Sequence, residues 1–395
     1  MFTRLRSLTA GETHGPELVA ILEGIPAGLP LSPAEIDPQL RRRQLGYGAG
    51  PRMKLEDDRV EILSGVMEGL TIGSPIALRI INQNHDRWRG QAVEAMSTPR
   101  PGHVDLTAAV KYGYRDLRPG LERASARETA ARVATGAICR HLLAQFGITV
   151  GGYVAAIGEV HADLDPITLA QRIQQADENE VRCPNQEAAV RMVEAIRAAI
   201  EARDTLGGTL EVVALGLPVG LGSHVQWDRR LEARLGAAVL SVQAMKGVAF
   251  GPAFETAHLP GTQAHDPIRL DGRRLVRPTN RAGGLEGGIT NGQPLVIRAA
   301  MKPIATTLAP QQTVDLATGV ETPTRYERSD FCPVPRAVPI LEAVVAQVLA
   351  DALLEKLGGD SLDEMRPRFE TLRQARLDDL EMDGGPHVFW PGEAG

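Results

Sequence analysis

With 395 residues, 43% hydrophobic and 23% charged, the chain has the composition of a globular protein long enough to build one extensive core. The net charge is −6 and aromatic residues make up only 4%, which excludes a polycation that coats nucleic acid and leaves little for a base-stacking surface. Met1-Phe2-Thr3-Arg4-Leu5-Arg6 lacks the apolar run of a signal peptide, and no apolar stretch is read as reaching the ~18 residues of a membrane span, so a cytoplasmic protein without membrane or nucleic-acid partners is expected.

Residues 17–25 alternate loosely between apolar and polar, as a half-buried strand does. Ser32-Pro33-Ala34-Glu35 is a capping box with proline at the first helical position, which predicts a helix from there through Arg41-Arg42-Arg43. Residues 60–66 and 75–81 read as strands. The clearest helix is the alanine-rich stretch 122–146, closed by Gly147, and a strand follows at 148–157. A second long helix is expected at 185–203, stopped by Gly207-Gly208, with a strand at 209–215. A strand at 295–301 and a helix at 339–357 complete the pattern. Past residue 360 the chain becomes highly charged, so 1–360 is expected to form one domain and 361–395 a charged surface helix with a frayed end.

Gly24-Ile25-Pro26-Ala27-Gly28-Leu29 recurs as Gly216-Leu217-Pro218-Val219-Gly220-Leu221, each copy after a predicted strand and before a helix expected to hold paired arginines, Arg41 to Arg43 and Arg229-Arg230. Two distant copies suggest two related α+β halves around one core rather than a solenoid.

Arginine is concentrated beside two histidines. His14 lies in Gly11-Glu12-Thr13-His14-Gly15-Pro16, where backbone can approach a ligand closely. His103 follows Arg100-Pro101-Gly102 at the start of a predicted helix, a combination suited to phosphate. Arg123, Arg127 and Arg132 admit two readings: an exposed face paired with Glu122 and Glu128, or, with Ser125 in the first helical turn, a cradle for a cofactor phosphate. The loop from Arg281 to Gly292 is rich in glycine, which suggests backbone passing close to a flat ligand, yet a strand follows it, unlike a dinucleotide fingerprint. No histidine or cysteine spacing suits a metal, and Cys139, Cys183 and Cys332 read as buried reduced thiols.

Together these segments resemble the chorismate synthase family, in order, over residues 9–358. The likeness rests on Gly11-Glu12-Thr13-His14-Gly15, Arg41-Arg42-Arg43 through Arg52-Met53-Lys54, Arg100 to Asp105, Glu122 to Thr129, Gly283 to Gly292 and Arg328-Ser329-Asp330. Departures are Thr13 where serine is usual, Ala49 where many relatives carry arginine, Gln243-Ala244 for asparagine-alanine, Ala305 for proline, and a shorter segment between Gly90 and Pro99.

The resemblance implies an α+β fold with helices sandwiched between two antiparallel β-sheets, in two related halves, assembled as a homotetramer. It implies reduced FMN as cofactor, and loss of phosphate from 5-enolpyruvylshikimate 3-phosphate to give chorismate without net redox change. NADPH is the reductant in some members and an external donor serves others. By the same resemblance His14, His103 and Asp330 are catalytic. Arg43, Arg52, Arg100 and Arg127 are assigned to the substrate. Arg123, Ala124, Ser125, Gln243, Ala244, Gly287, Lys302, Pro303, Ile304, Ala305, Thr306 and Arg328 are assigned to the cofactor. A net-redox flavoenzyme would need a nicotinamide site, and no dinucleotide fingerprint is present; an RNA-binding module is opposed by the pI near 5.9.

Overall fold

Strand alternation builds two antiparallel sheets, and the helices that their inner faces demand lie between them. The computed structural model describes residues 2–49, 57–327 and 329–390. The first sheet holds β1 (Arg6–Ala10), β2 (Glu17–Glu23), β3 (Val60–Ile62) and β4 (Ile76–Ile81), in the order β1-β2-β4-β3. The second holds β5 (Thr149–Ile157), β6 (Val160–His161), β7 (Gly208–Leu215), β8 (Met245–Phe250) and β9 (Leu295–Met301), in the order β8-β9-β7-β5-β6. Every strand pairing within these two sheets is antiparallel. The principal helices are α1 (Pro33–Gln44), α2 (Asp105–Tyr112), α3 (Arg118–Ala124), α4 (Thr129–Ala144), α5 (Leu169–Ala176), α6 (Gln186–Glu201), α7 (Leu231–Leu240), α8 (Val334–Leu357) and α9 (Leu362–Glu370).

The inner face of the first sheet presents Leu18, Ala20, Leu22, Ile76, Leu78 and Ile80; that of the second presents Val154, Leu210, Val212, Leu295 and Ile297, all buried. The period-2 pattern puts these residues on one side of each strand. Helices α4 and α8 fill the space between the sheets and touch along their length. Their approach depends on Gly136, where a Cβ would lie 2.3 Å from the Cβ of Ala343.

The repeated turn marks a true structural repeat. In the first half Thr71 clamps it: the Leu29 amide donates to Thr71 Oγ1 at 2.9 Å, and that hydroxyl donates to the Pro26 carbonyl at 2.6 Å. In the second half the Leu221 amide donates to Thr290 Oγ1 at 2.8 Å, which donates to the Pro218 carbonyl at 2.7 Å. Each threonine sits on a small hairpin, Val66–Met67 with Leu70–Thr71 and Leu285–Glu286 with Ile289–Thr290. Strands β1, β2, β3 and β4 thus match β5, β7, β8 and β9 in sheet order, and α1 and α4 match α7 and α8.

Several expectations change. The predicted helix 122–146 is broken: Ser125 is extended (φ −63°, ψ 146°), a 3-10 turn spans Ala126–Glu128, and α4 starts at Thr129. Tertiary bonds win over helix propensity there, as described below. Helix α8 begins at Val334, five residues before the expected start, because proline is tolerated in a first turn and Pro339 is accommodated inside. It also contains an 18-residue window with mean hydropathy 1.9, so an apolar stretch of membrane-span length does exist; all of that window is buried between the sheets. Arg229 and Arg230 precede α7 rather than lying in it. After residue 360 the helix ends at Glu370, with Leu362 and Met365 buried against the body and Phe369 beside Phe146.

Candidate active site

The loop carrying His14 joins β1 to β2 and is fixed from three directions. Asn82, leaving β4, donates to the carbonyls of Thr13 at 3.2 Å and Gly15 at 2.8 Å. His85 Nδ1 donates to the His14 carbonyl at 3.0 Å, and the indole of Trp88 lies 4.5 Å from the imidazole, ring centre to ring centre. From α3, Glu122 accepts the His14 amide at 2.9 Å and His14 Nδ1 at 2.6 Å. A carboxylate that accepts from Nδ1 leaves Nε2 as the nitrogen able to exchange a proton.

His103 is backed in the same manner. Its Nδ1 lies 2.5 Å from Asp105 Oδ1, on the first residue of α2. Asp105 is fully buried and also accepts Arg100 through Nε at 2.8 Å, Nη2 at 2.9 Å and the backbone amide at 3.0 Å. Burial alone would raise this carboxyl. The hydrogen bond from His103, with the Arg100 guanidinium, outweighs burial and holds it far below the usual carboxylate range. The remaining Arg100 nitrogen donates to Thr306 Oγ1 at 3.0 Å. The anion at this helix start is therefore the protein's own Asp105, and Arg100 faces Asp105, Thr306 and the His103 ring rather than opening toward a ligand.

The other arginines divide. Arg43 and Arg127 are buried and converge on Asp58, Arg43 at 3.4 Å; Arg43 also donates to Thr129 Oγ1 at 3.0 Å and to the Ala126 carbonyl at 3.2 Å. These bonds hold the break at Ser125 open, because Ala126 begins the 3-10 turn and Thr129 follows it. The exposed-face reading therefore fails for Arg127 and for Glu128, which is buried. Burial alone would raise the Glu128 carboxyl; the charge of Arg132 and hydrogen bonds from Thr9 and Arg132 keep it lowered. Arg123 stays half-exposed and donates to the Thr9 carbonyl at 3.0 Å. Asp330 is paired with Arg336, whose Nε donates to the Arg43 carbonyl at 3.0 Å. Arg52 and Arg328 lie outside the described residues.

A chain of contacts joins the two histidines across both sheets. Ser125 Oγ bonds Thr13 Oγ1 at 3.1 Å, and Thr9 Oγ1 donates to Glu128 at 2.7 Å. Gln243 Nε2 reaches Glu128 at 3.4 Å, and the carbonyl of Ala244 accepts the Lys302 amide at 3.0 Å. Lys302 Nζ then donates to the Gly102 carbonyl at 2.8 Å, next to His103. Thr205 Oγ1 donates to the Ile304 carbonyl at 2.9 Å and steadies the segment running through Pro303 and Ala305. Arg123, Ala124, Ser125, Gln243, Ala244 and Lys302 to Thr306 are thus brought together from distant parts of the sequence.

Gly287 is not brought to them. Its hairpin precedes β9, whereas Lys302 follows it, and a seven-residue strand spans roughly 20 Å. Most glycines of this loop serve packing: a Cβ on Gly283 would lie 2.3 Å from the Gly251 amide, and one on Gly284 2.6 Å from the Pro294 carbonyl. This replaces the reading of the whole loop as a ligand surface. Gly287 differs. Only His224 would approach a Cβ there, at 3.8 Å, and the matching position of the first half, Glu68, carries a side chain at φ 50°.

Glu122 and Asp105 were not singled out from sequence as partners of the histidines. Asp105, two residues from His103, could have been suspected, whereas nothing local pairs Glu122 with His14, 108 residues away.

Two imidazoles backed by carboxylates, with buried arginines nearby, are the groups that an enzyme moving protons on an anionic substrate would use. Comparison with known proteins makes the class specific. The family model described as "Chorismate synthase" matches residues 5–354. The chain is 53% identical over 380 residues to the chorismate synthase of Trichlorobacter lovleyi (92% of this chain, 97% of that protein). It is 49% identical over 389 residues to that of Chlorobaculum tepidum (94% and 98%). A solved structure titled "Crystal Structure of Chorismate Synthase" superposes with a TM-score of 0.77 at 45% identity, covering 94% of this chain and 97% of that one. The chain belongs to the chorismate synthase family, and with it to the lyases that complete the common part of the shikimate pathway toward aromatic amino acids.

Proposed function

We propose that the chain eliminates phosphate and a ring hydrogen from 5-enolpyruvylshikimate 3-phosphate in the anti-1,4 sense, with reduced FMN and without net redox change. The observation that carries this reading is the pair of carboxylate-backed histidines linked through residues of both sheets. His14 gives its Nε2 proton to the departing phosphate, and His103 holds the proton balance at the cofactor. Asp330, oriented by Arg336, takes part in relaying the ring proton. Arg43, Arg52 and Arg127 supply positive charge for the substrate's anionic groups, Arg43 and Arg127 while also holding Asp58, because desolvating a phosphate and two carboxylates requires paired cations. Arg100, bonded to Asp105 and Thr306 and set against the His103 ring, orients Asp105 and His103.

The residues present suit FMN. Gln243 Oε1 is buried with no donor among the described residues, and half-exposed Arg123 and Ser125 lie close by, as a polar, anionic cofactor requires. Arg123, Ala124, Ser125, Gln243, Ala244, Arg328 and Lys302 through Thr306 would hold it. When bound, reduced FMN lends electron density to the ring carbon that loses phosphate and regains it as the hydrogen leaves. Gly287 would join from a second copy, in keeping with a homotetramer in the cytoplasm.

An anaerobic assay with pre-reduced FMN, run with and without NADPH and repeated with oxidised FMN plus NADPH, tests this reading. Chorismate should form over many turnovers of one flavin. One flavin oxidised per product would replace the elimination by a net redox reaction, and turnover sustained by NADPH with oxidised FMN would show that the chain reduces its own cofactor.

A further inference from the structure

We infer that Glu122 is a positioning residue that decides which nitrogen of His14 carries the proton; this rests on the reading of His14 as proton donor. Helix α3 stops at Ala124, and the Glu122 carbonyl in its last turn accepts the Thr13 amide at 3.2 Å. That contact sets Glu122 directly against the histidine loop. Its carboxylate then meets two hydrogens of one residue, the backbone amide of His14 at 2.9 Å and ring Nδ1 at 2.6 Å. With His85 on the His14 carbonyl and Trp88 against the ring, Nδ1 is committed and Nε2 is the nitrogen that exchanges.

Glutamine at 122 keeps the shape but offers one acceptor oxygen for two hydrogens. The backbone amide is a fixed donor, so the glutamine oxygen must turn to it and the NH2 group must face Nδ1. Nδ1 then has to accept, the ring proton moves to Nε2, and the doubly protonated ring is opposed by a donor facing a donor.

The test is ring nitrogen NMR of the FMN-loaded protein labelled with 15N-histidine, with the His14 signals identified by their loss in His14→Ala. At a pH where the ring is neutral, native protein should show the Nδ1–H form and Glu122→Gln the Nε2–H form, while the other histidines stay unchanged and report an intact fold. Turnover of Glu122→Gln should fall roughly 10–100-fold with KM little altered, a range usual for a partner that orients a functional histidine. Its alkaline limb should move to lower pH. Native tautomer, rate and pH profile in Glu122→Gln, alongside a slow His14→Ala, would overturn the positioning role alone. Native turnover in His14→Ala would instead overturn the donor reading on which it rests.

Discussion

The two halves of the molecule share a turn, a hairpin and four strands, yet use the chain between their first two strands in opposite ways. In the first half residues 11–16 make a short loop that carries His14. In the second half residues 158–207 build α5 and α6, and Tyr153 and Val213 on the outer face of the sheet are buried with Ile173 of α5 packed against them. One connection carries chemistry and the other covers a sheet. The exits from the final strands are alike: β4 leads to Asn82, His85, Arg100 and His103, and β9 leads to Lys302, Thr306 and Asp330. What repeats is what holds the sandwich together, and the site lies where the repeat is broken or left.

The comparison is broken most strongly at the histidines. His103→Ala should lose turnover by ~10²–10⁴-fold with substrate affinity largely kept, because a general acid–base group acts in the transition state while arginines bind the substrate. Steady-state kinetics with reduced FMN checks this, and lost affinity with intact turnover would make His103 a binding residue.

Asp105→Asn should destabilise the fold by ~3–5 kcal/mol at neutral pH in chemical denaturation, because it leaves Arg100 buried without its charge partner. The sign with pH follows from the depressed carboxyl. Its stabilisation is complete above the ~3.9 of an unfolded aspartate and is lost as pH falls from there toward the lower folded value. The gap between native and variant should therefore stay constant through mild acid and narrow only below about pH 4.

The repeat itself predicts equality. Thr71→Val and Thr290→Val each remove the same two hydrogen bonds from the same turn, so each should cost ~1–3 kcal/mol, and the two values should agree to within about 0.5 kcal/mol. A large difference would mean that one half carries more of the stability.

The smallest stability effect is expected at Gly287→Glu. Its twin Glu68 already carries that side chain in the left-handed region, so the cost should be only about 1 kcal/mol. FMN affinity, measured by flavin fluorescence, should nonetheless fall. Unchanged affinity would remove Gly287 from the cofactor site.

Much was legible in local sequence because its causes are local. The Ser32 capping box starts α1 as expected, with both of its reciprocal hydrogen bonds formed. The repeated Gly-Pro-Gly turn announced two halves, because glycine at φ 98° and 77° is needed where Gly24 and Gly216 press against the carbonyls of Arg4 and Gly147. His14 and His103 stood out by their glycine and arginine neighbours, and six ordered motifs carried the family.

Other features were decided only when the chain closed on itself. The break at Ser125 runs against a strong helical pattern and is held by Arg43, Asp58 and Thr13, none of them near it in sequence. Which buried carboxylate an arginine pairs with depends on which acid folding brings beside it; Arg100 meets Asp105, and Arg43 and Arg127 meet Asp58. Composition cannot tell a core helix from a membrane span, and α8 became the former because two sheets cover it. Periodicity, capping and turns are set by neighbours along the chain, so sequence alone determined them. The partners of buried charges are set by neighbours in space, so only the tertiary structure could choose them.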